Sequence, residues 1–406
     1  MFLGVCEMKK EIVANSSGSE AANERAAQIL LKPGVWRHRL GIGVLETVLR
    51  PLAWVFKTPA VTGPGARRVL IYELGALGDL VLLVPFLRRL RSHLPAAHIV
   101  VAGRPGGGSL LIERGLIDEW VPLGAPSSLS WLRIFPGAFG LRKQRYDLAF
   151  AVGWRGDLKG NLVIWLSGAR RRIGYGYAGG KFLLTDVVSP DLLRPHVADR
   201  NLKLLDYLGI PPLGDEAILG VSSRDEEYAA ELMAQSGIVG TDLVIGVHPG
   251  AGSPVREWGD ERFAEVASAA AEKFRAKILW FSDPAKPKPA PGHLEAISLT
   301  LPLSQFAAVV CRCQLFLCND SGPMHVAAAL KVPVVAVFGP QRPEWFGPYG
   351  EGHRVVIRND IWCRPCGDRC MWKEPYCLSL IPVEQVMREV EDVLMNAPNW
   401  LLRAAV

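Results

Sequence analysis

From Arg67 onward, short apolar runs alternate with stretches whose apolar residues recur every three or four positions. Val69–Tyr72 reads as a strand and Asp79–His93 as a helix, followed by strands at His98–Ala102, Leu148–Val152 and Asp186–Val188. The helical stretch Arg224–Ser236 opens a second series. In it, strands at Leu243–Val247, Ile278–Phe281, Leu315–Cys318 and Val334–Phe338 are interleaved with helices at Asp260–Phe274, Leu303–Cys311 and Pro323–Leu330. An unbroken apolar run of four or five residues is what a strand buried on both faces presents. Regular β–α alternation places such strands in a parallel sheet covered by helices on both sides. The pattern predicts an α/β protein of two Rossmann-like domains, 67–235 and 236–406, facing each other across a cleft. Ligands of such sheets bind beyond the carboxyl ends of the strands.

Residues 1–66 form an N-terminal extension of different character. Met1–Arg25 is polar, with Ser16-Ser17-Gly18-Ser19 at its centre, and Thr58–Gly65 reads as a linker. Between them, Leu45, Val48, Leu49, Leu52 and Phe56 recur at helical spacing, with Glu46, Arg50 and Lys57 on the other side and Pro51 as a kink. Two readings stand for this helix. It packs on the main body, or it lies in a membrane interface with Trp36 and Trp54 at headgroup level and Arg37, Arg39, Arg50 and Lys57 towards anionic lipid. The first residues lack an apolar segment behind a basic start, so no secretory signal is expected. No run approaches the roughly 20 apolar residues of a membrane span. A cytoplasmic location follows as the expectation, with the eight cysteines reduced or metal-bound.

Composition narrows the partners. With 49% hydrophobic and 21% charged residues, the chain is globular and not disordered. The net charge of +6 suits an acidic partner such as a phosphorylated lipid. Nucleic acid is not expected, because no basic cluster is interleaved with base-stacking aromatics.

Three loops carry candidate chemistry, each directly after a strand. Glu73-Leu74-Gly75-Ala76-Leu77-Gly78-Asp79 opens a helix, with Gly75 and Gly78 permitting a tight turn and close backbone approach. Asp79 is either a helix cap or a carboxylate aimed into the cleft. The dinucleotide spacing Gly-x-Gly-x-x-Gly is missing, which argues against a nicotinamide enzyme. His248-Pro249-Gly250-Ala251-Gly252-Ser253 exposes backbone N–H groups as a pyrophosphate requires, and Arg256 nearby could neutralise a phosphate. Asn319-Asp320-Ser321-Gly322-Pro323-Met324-His325 places Pro323 in a first helical turn, with Asp320 or Ser321 as the cap and N–H groups left unpaired. Any one of these loops is common punctuation; three of them point to a nucleotide-type ligand.

On these residues, together with Arg171-Arg172-Ile173-Gly174-Tyr175 and Phe338-Gly339-Pro340, the chain resembles glycosyltransferase family 9, the ADP-heptose:lipopolysaccharide heptosyltransferases. The resemblance runs from about Arg67 to Leu394, and its most specific block is Asn319-Asp320-Ser321-Gly322-Pro323. It implies a GT-B fold and an inverting sugar transfer that needs no catalytic metal. The implied donor is a nucleoside-diphosphate sugar, ADP-heptose above all, and the implied acceptor a lipid-linked saccharide at the cytoplasmic face of a membrane. Asp79 matches the family's general base. Gly250, Ala251 and Gly252 with Ser321, Gly322, Pro323 and Met324 match the donors to the leaving diphosphate, Asp320 the contact to the donor sugar, and His325 closes the same block. Arg256 falls where the family commonly has a phosphate-binding Lys, and Gly75, Gly78, Arg171 and Arg172 belong to the acceptor side.

Two stretches depart from the family. Ser282-Asp283-Pro284-Ala285-Lys286-Pro287-Lys288-Pro289 stands where members usually carry a Gly-Gly turn and a Glu that hold the base and ribose. Gly153-Trp154-Arg155-Gly156-Asp157 replaces a more usual Leu-x-Gly stretch. The alternatives are therefore another nucleotide sugar serving O-antigen or capsule assembly, or a sugar-nucleotide-binding scaffold without turnover.

Cys363, Cys366, Cys370 and Cys377 form C-x2-C-x3-C-x6-C, a spacing that suits a structural zinc. Free thiols, an iron–sulfur cluster and disulfides are the other readings. Cys311, Cys313 and Cys318 read as small core residues. The run Arg170-Arg171-Arg172 is either a solvated face or a contact to acceptor phosphates or carboxylates.

Overall fold

A computed structural model describes residues 65–396 apart from 106–107, 124–130, 154–157, 178, 192 and 214–218. The N-terminal extension up to residue 64 and the acceptor-side stretch Trp154–Asp157 lie outside the described residues. The rest falls into two compact units. One is built from residues up to 75, 86–108 and 115–213, the other from 76–85, 109–114 and 214 onward. The helix Ser223–Gln235 therefore counts with the second unit.

The first unit holds a parallel sheet of β1 (Arg68–Glu73), β2 (His98–Gly103), β3 (Glu119–Pro122), β4 (Leu148–Ala151), β5 (Arg171–Tyr175) and β6 (Asp186–Val188), in the order β3-β2-β1-β4-β5-β6. The second holds β7 (Val244–His248), β8 (Lys277–Ser282), β9 (Ile297–Thr300), β10 (Leu315–Asn319), β11 (Val334–Phe338) and β12 (Arg354–Ile357), in the order β12-β11-β10-β7-β8-β9. Each sheet runs outward in both directions from its first strand, the doubly wound arrangement of a Rossmann half. Every pairing is parallel, with Val69 opposite Ile99 and Leu148 in the first sheet and Ile245 opposite Ile278 and Leu315 in the second.

The middle strands are buried on both faces, as their apolar runs require. In the second unit Val247, Trp280, Leu317 and Val337 point to the side covered by the helices Asp260–Phe274 and Val383–Asn396. The opposite face carries Phe281 and Phe316, which meet Phe306 of the helix Leu303–Val310 edge-on at 5.1 and 6.0 Å between ring centroids.

The elements differ from the expectation in two respects. The helix expected over Asp79–His93 is broken into Leu77–Val81 and Val84–His93. Pro85 lies in the first turn of the new segment, where its missing N–H is no loss, while continuing the first helix through it would cost a hydrogen bond. Strands β3, β5, β9 and β12 were not expected: β3, β9 and β12 are sheet edges with at most one buried residue each, so no long apolar run marks them, and β5, though largely buried between β4 and β6, opens with Arg171-Arg172, which breaks its apolar run.

Candidate functional site

In the second sheet the strand order reverses between β7 and β10. The chain leaves these neighbours in opposite directions, so the loops that follow them flank a crevice at their carboxyl ends. Those loops are His248–Ser253 and Asn319–Ser321, two of the three segments singled out by sequence.

Asn319 ties them together. Its fully buried side chain donates from Nδ2 to the Pro249 carbonyl at 2.5 Å and accepts at Oδ1 from the Trp258 backbone N–H at 3.0 Å. Trp258 is in turn held by its indole N–H, which donates to the Ile381 carbonyl at 3.1 Å. The helix Gly322–Ala329 begins here. Pro323 occupies its first turn, and Ser321 at the N-cap is extended with no side-chain capping bond. The first-turn N–H groups of that helix are therefore not consumed by a side-chain cap. Among the described residues, the buried Ser321 Oγ has no hydrogen-bond partner, and Asp320 Oδ2 makes none.

The helix Leu77–Val81 packs against this segment at backbone distance. A Cβ on Gly78 would stand 2.6 Å from His325 Cδ2, and one on Gly322 would stand 3.1 Å from Leu77 Cβ. Both glycines are close-approach positions. The contact brings Asp79 into electrostatic range of Arg256 and Asp320. Asp79 also serves its own first turn, accepting at Oδ2 from the Ala76 N–H at 2.9 Å.

Arg256 follows in a short turn, Pro254–Arg256. Its Nε and Nη2 donate to the two oxygens of Asp368 at 2.7 and 2.5 Å, and its Nη1 lies 3.3 Å from Asp320 Oδ2. Burial works against the guanidinium charge, but Asp368, Asp320 and Asp79 raise its pKa on balance. Burial pushes the Asp320 carboxyl up to about 7; Arg256 opposes this, and Asp368 and Asp79 add to it. Burial also lowers the His248 imidazole, favouring its neutral form.

Glu257 completes this side. It accepts from the Ala251 N–H at 3.3 Å and from Lys288 Nζ at 2.7 Å. Lys288 also reaches Asp260 at 3.3 Å. Burial disfavours the Lys288 charge, but the two carboxylates outweigh it and raise its pKa. Lys288 comes from the stretch that departs from the family pattern. That stretch thus supplies a cation beside the Ala251 loop.

Gly78, Asp79, Gly250, Ala251, Gly252, Arg256 and Asp320 through His325 all lie in the second unit, and Gly75, Arg171 and Arg172 in the first. Gly75 donates its N–H to Glu73 Oε1 at 2.6 Å. Arg171 forms a two-pronged pair with Asp186 at 3.1 and 2.8 Å. Arg172 is buried, donating to the Leu183 and Ala169 carbonyls at 2.7 Å each. Neither arginine is merely solvated.

The cysteines separate into two groups. Cys313 and Cys318 are buried as expected, whereas Cys311 is exposed. Cys363, Cys366 and Cys370 are half-buried and Cys377 is buried. Burial pushes the Cys377 thiol up to about 11, Arg364 opposes it, and the other three sulfurs are near enough to raise it further. Among the described residues no group of three or more His, Cys, Asp or Glu side chains is arranged to hold a metal ion.

Residues 138–376 match the profile of glycosyltransferase family 9 (heptosyltransferase). That is more than half of the 406-residue chain. The chain belongs to glycosyltransferase family 9. It is 26% identical to lipopolysaccharide heptosyltransferase 2 of Escherichia coli (strain K12), over 71% of this chain and 87% of that protein. Among solved structures, a family 9 glycosyltransferase from Veillonella parvula superimposes with a TM-score of 0.70 at 24% identity, covering 83% of this chain and 100% of the other. ADP-heptose lipopolysaccharide heptosyltransferase II of E. coli gives 0.61 at 24% identity, covering 81% and 98%. These likenesses show the GT-B type of fold, two Rossmann-like units. The family 9 chain is a glycosyltransferase. Among its described residues no helix is long and apolar enough to cross a membrane.

Proposed function

We propose that this enzyme transfers a sugar, heptose in the favoured reading, from a nucleoside-diphosphate donor to a lipopolysaccharide-type or other lipid-linked saccharide acceptor, with inversion at the anomeric carbon. The observation that carries it is the Asn319 tie, which sets the Pro249 loop against the start of the helix Gly322–Ala329 at the switch point of the second sheet. The N–H groups of Gly250 and Gly252 and of the first turn from Gly322 are suited to a diphosphate, the Ala251 N–H being shared with Glu257, and Ser321 Oγ adds an uncommitted buried hydroxyl. Donors fixed in advance stabilise the charge that accumulates on the leaving nucleoside diphosphate without reorganisation. Asp320 would contact the donor sugar.

Asp79 would act as general base. As the acceptor oxygen attacks the anomeric carbon, its proton passes to the carboxylate. The bond from that carbon to the diphosphate oxygen breaks on the opposite side, and the electron pair leaves with the nucleotide. No step is routed through a metal. A structural zinc at Cys363, Cys366, Cys370 and Cys377 rests on their spacing alone, and elemental analysis of the purified protein tests it.

Thermal unfolding against ADP, UDP, GDP and CMP tests the donor reading. A ligand at about 100 times its dissociation constant adds roughly 2.7 kcal/mol, or about 5–11 °C for a domain of this size. A shift with ADP alone supports ADP-heptose, and transfer from ADP-heptose is the assay that follows. One observation favours a second donor. Lys288, held by Glu257 and Asp260, comes from the stretch 282–289, which lacks the Glu that the family usually carries there. A shift with UDP or GDP alone would move the donor accordingly. Peripheral attachment at the inner face of the cytoplasmic membrane is the proposed location, supported by the acceptor class and the basic, aromatic stretch 36–57. Sedimentation with anionic vesicles checks it.

A further inference from the structure

The cysteine-rich loop reaches into the site through one side chain. Asp368 lies between Cys366 and Cys370, 112 residues from Arg256, and takes both its Nε and its Nη2. A paired fork of this kind fixes the plane of a guanidinium, which a single contact does not. The carboxylate is itself placed from several directions. Gly367 and Asp368 are both left-handed, at φ 59° and 65°, which turns the loop back sharply, a conformation Gly and Asp tolerate best. Gln341 donates to Asp368 Oδ1 at 3.0 Å. The loop is tied down beside it, with the Gly367 N–H donating to the Pro340 carbonyl at 3.2 Å and Arg364 to the carbonyls of Gly339 and Gln341 at 2.5 and 2.9 Å.

This arrangement leaves Arg256 with little freedom. Its Nη1 is turned towards the buried Asp320 at 3.3 Å, and of its five N–H groups one on Nη1 and one on Nη2 are left by these two carboxylates. We propose that Asp368 is a positioning residue for the donor site, holding Arg256 so that its remaining N–H groups meet the diphosphate of the nucleotide sugar. The proposal rests on the donor-site reading above. It gives the loop that carries the four cysteines a task in substrate binding through Asp368 and Gln341, whatever the state of the thiols. Asp368 touches neither the sugar nor the reacting atoms. It acts through Arg256.

Calorimetric binding of ADP to the full chain tests this, using R256Q, D368N, D368E and the double variant R256Q/D368N, with circular dichroism as the check on folding. R256Q is expected to weaken ADP binding, and D368N to weaken it about tenfold, the usual scale for a charge-assisted hydrogen bond. D368E keeps the charge and should recover most of the loss, including where D368N folds poorly. The double variant should bind no more weakly than R256Q, because Asp368 has nothing left to position. If R256Q weakens binding while D368N does not, or if D368N costs the same factor in both backgrounds, Asp368 does not act through Arg256 and the proposal is overturned. If R256Q binds ADP as wild type does, the donor-site reading itself falls and takes the proposal with it.

Discussion

Asn319 donates to the Pro249 carbonyl across 70 residues of sequence, and this single bond joins the two loops at the switch point of the second sheet. Because Asn319 is fully buried and accepts from Trp258 as well, water cannot take over either bond. N319A should therefore cost about 1–3 kcal/mol, the penalty for leaving buried backbone groups unpaired. The loss should appear as a lower denaturation midpoint together with weaker ADP binding. An unchanged midpoint would mean that the loops are held by other contacts.

The buried Asp320 makes a prediction about pH. Its folded-state carboxyl titrates near 7, above the ordinary value of 3.8, because burial outweighs the help of Arg256. A raised carboxyl pKa favours the fold in the protonated form. That contribution is fully present below about 3.8 and is lost as pH rises towards 7. D320N removes the titration. Relative to wild type, it should gain roughly 1–3 kcal/mol of stability between pH 4 and pH 8. Parallel stability curves for the two proteins across that range would show that Asp320 is ionised in the fold throughout.

Asp79 has two duties that substitutions can separate. D79N keeps an oxygen to accept from the Ala76 N–H, the 2.9 Å bond, but cannot accept the acceptor's proton. D79A loses both. D79N should retain thermal stability and ADP affinity while kcat falls about 10²–10⁴-fold, the range for loss of a general base. D79A should lose a further ~1 kcal/mol of stability, as a missing helix cap does. Turnover within a factor of two of wild type in D79N would remove Asp79 from the chemistry.

How much of this was legible in the sequence depends on where a residue's partners lie. Strands such as β7, β10 and β11 are buried on both faces, so their apolar runs mark them without further information. The edge strands β9 and β12 face solvent in part and leave no such trace. The loops after β7 and β10 could be named from glycine, proline and cap residues, because turn chemistry is local. Asp368 could not, since nothing near position 368 refers to Arg256 and only the folded chain brings them together. Lys288 is hidden for a related reason, because its contacts, Glu257 and Asp260, lie about thirty residues away in the chain.

Arg171 and Arg172 separate fold from acceptor recognition. The Arg172 guanidinium is buried and spends its donors on the Leu183 and Ala169 carbonyls, so R172A leaves two carbonyls short of a partner and should lose about 2–4 kcal/mol. Arg171 is partly exposed and paired with Asp186, which lowers the Asp186 carboxyl pKa against the effect of burial. A pair of that exposure contributes about 0.5–1 kcal/mol, so R171A should stay folded. R171A is therefore the variant that can report on the acceptor. If Arg171 meets an acceptor phosphate or carboxylate, R171A should raise the acceptor KM several-fold with ADP affinity unmoved. The same substitution leaving the acceptor KM unchanged would make the pair with Asp186 purely a tie between β5 and β6.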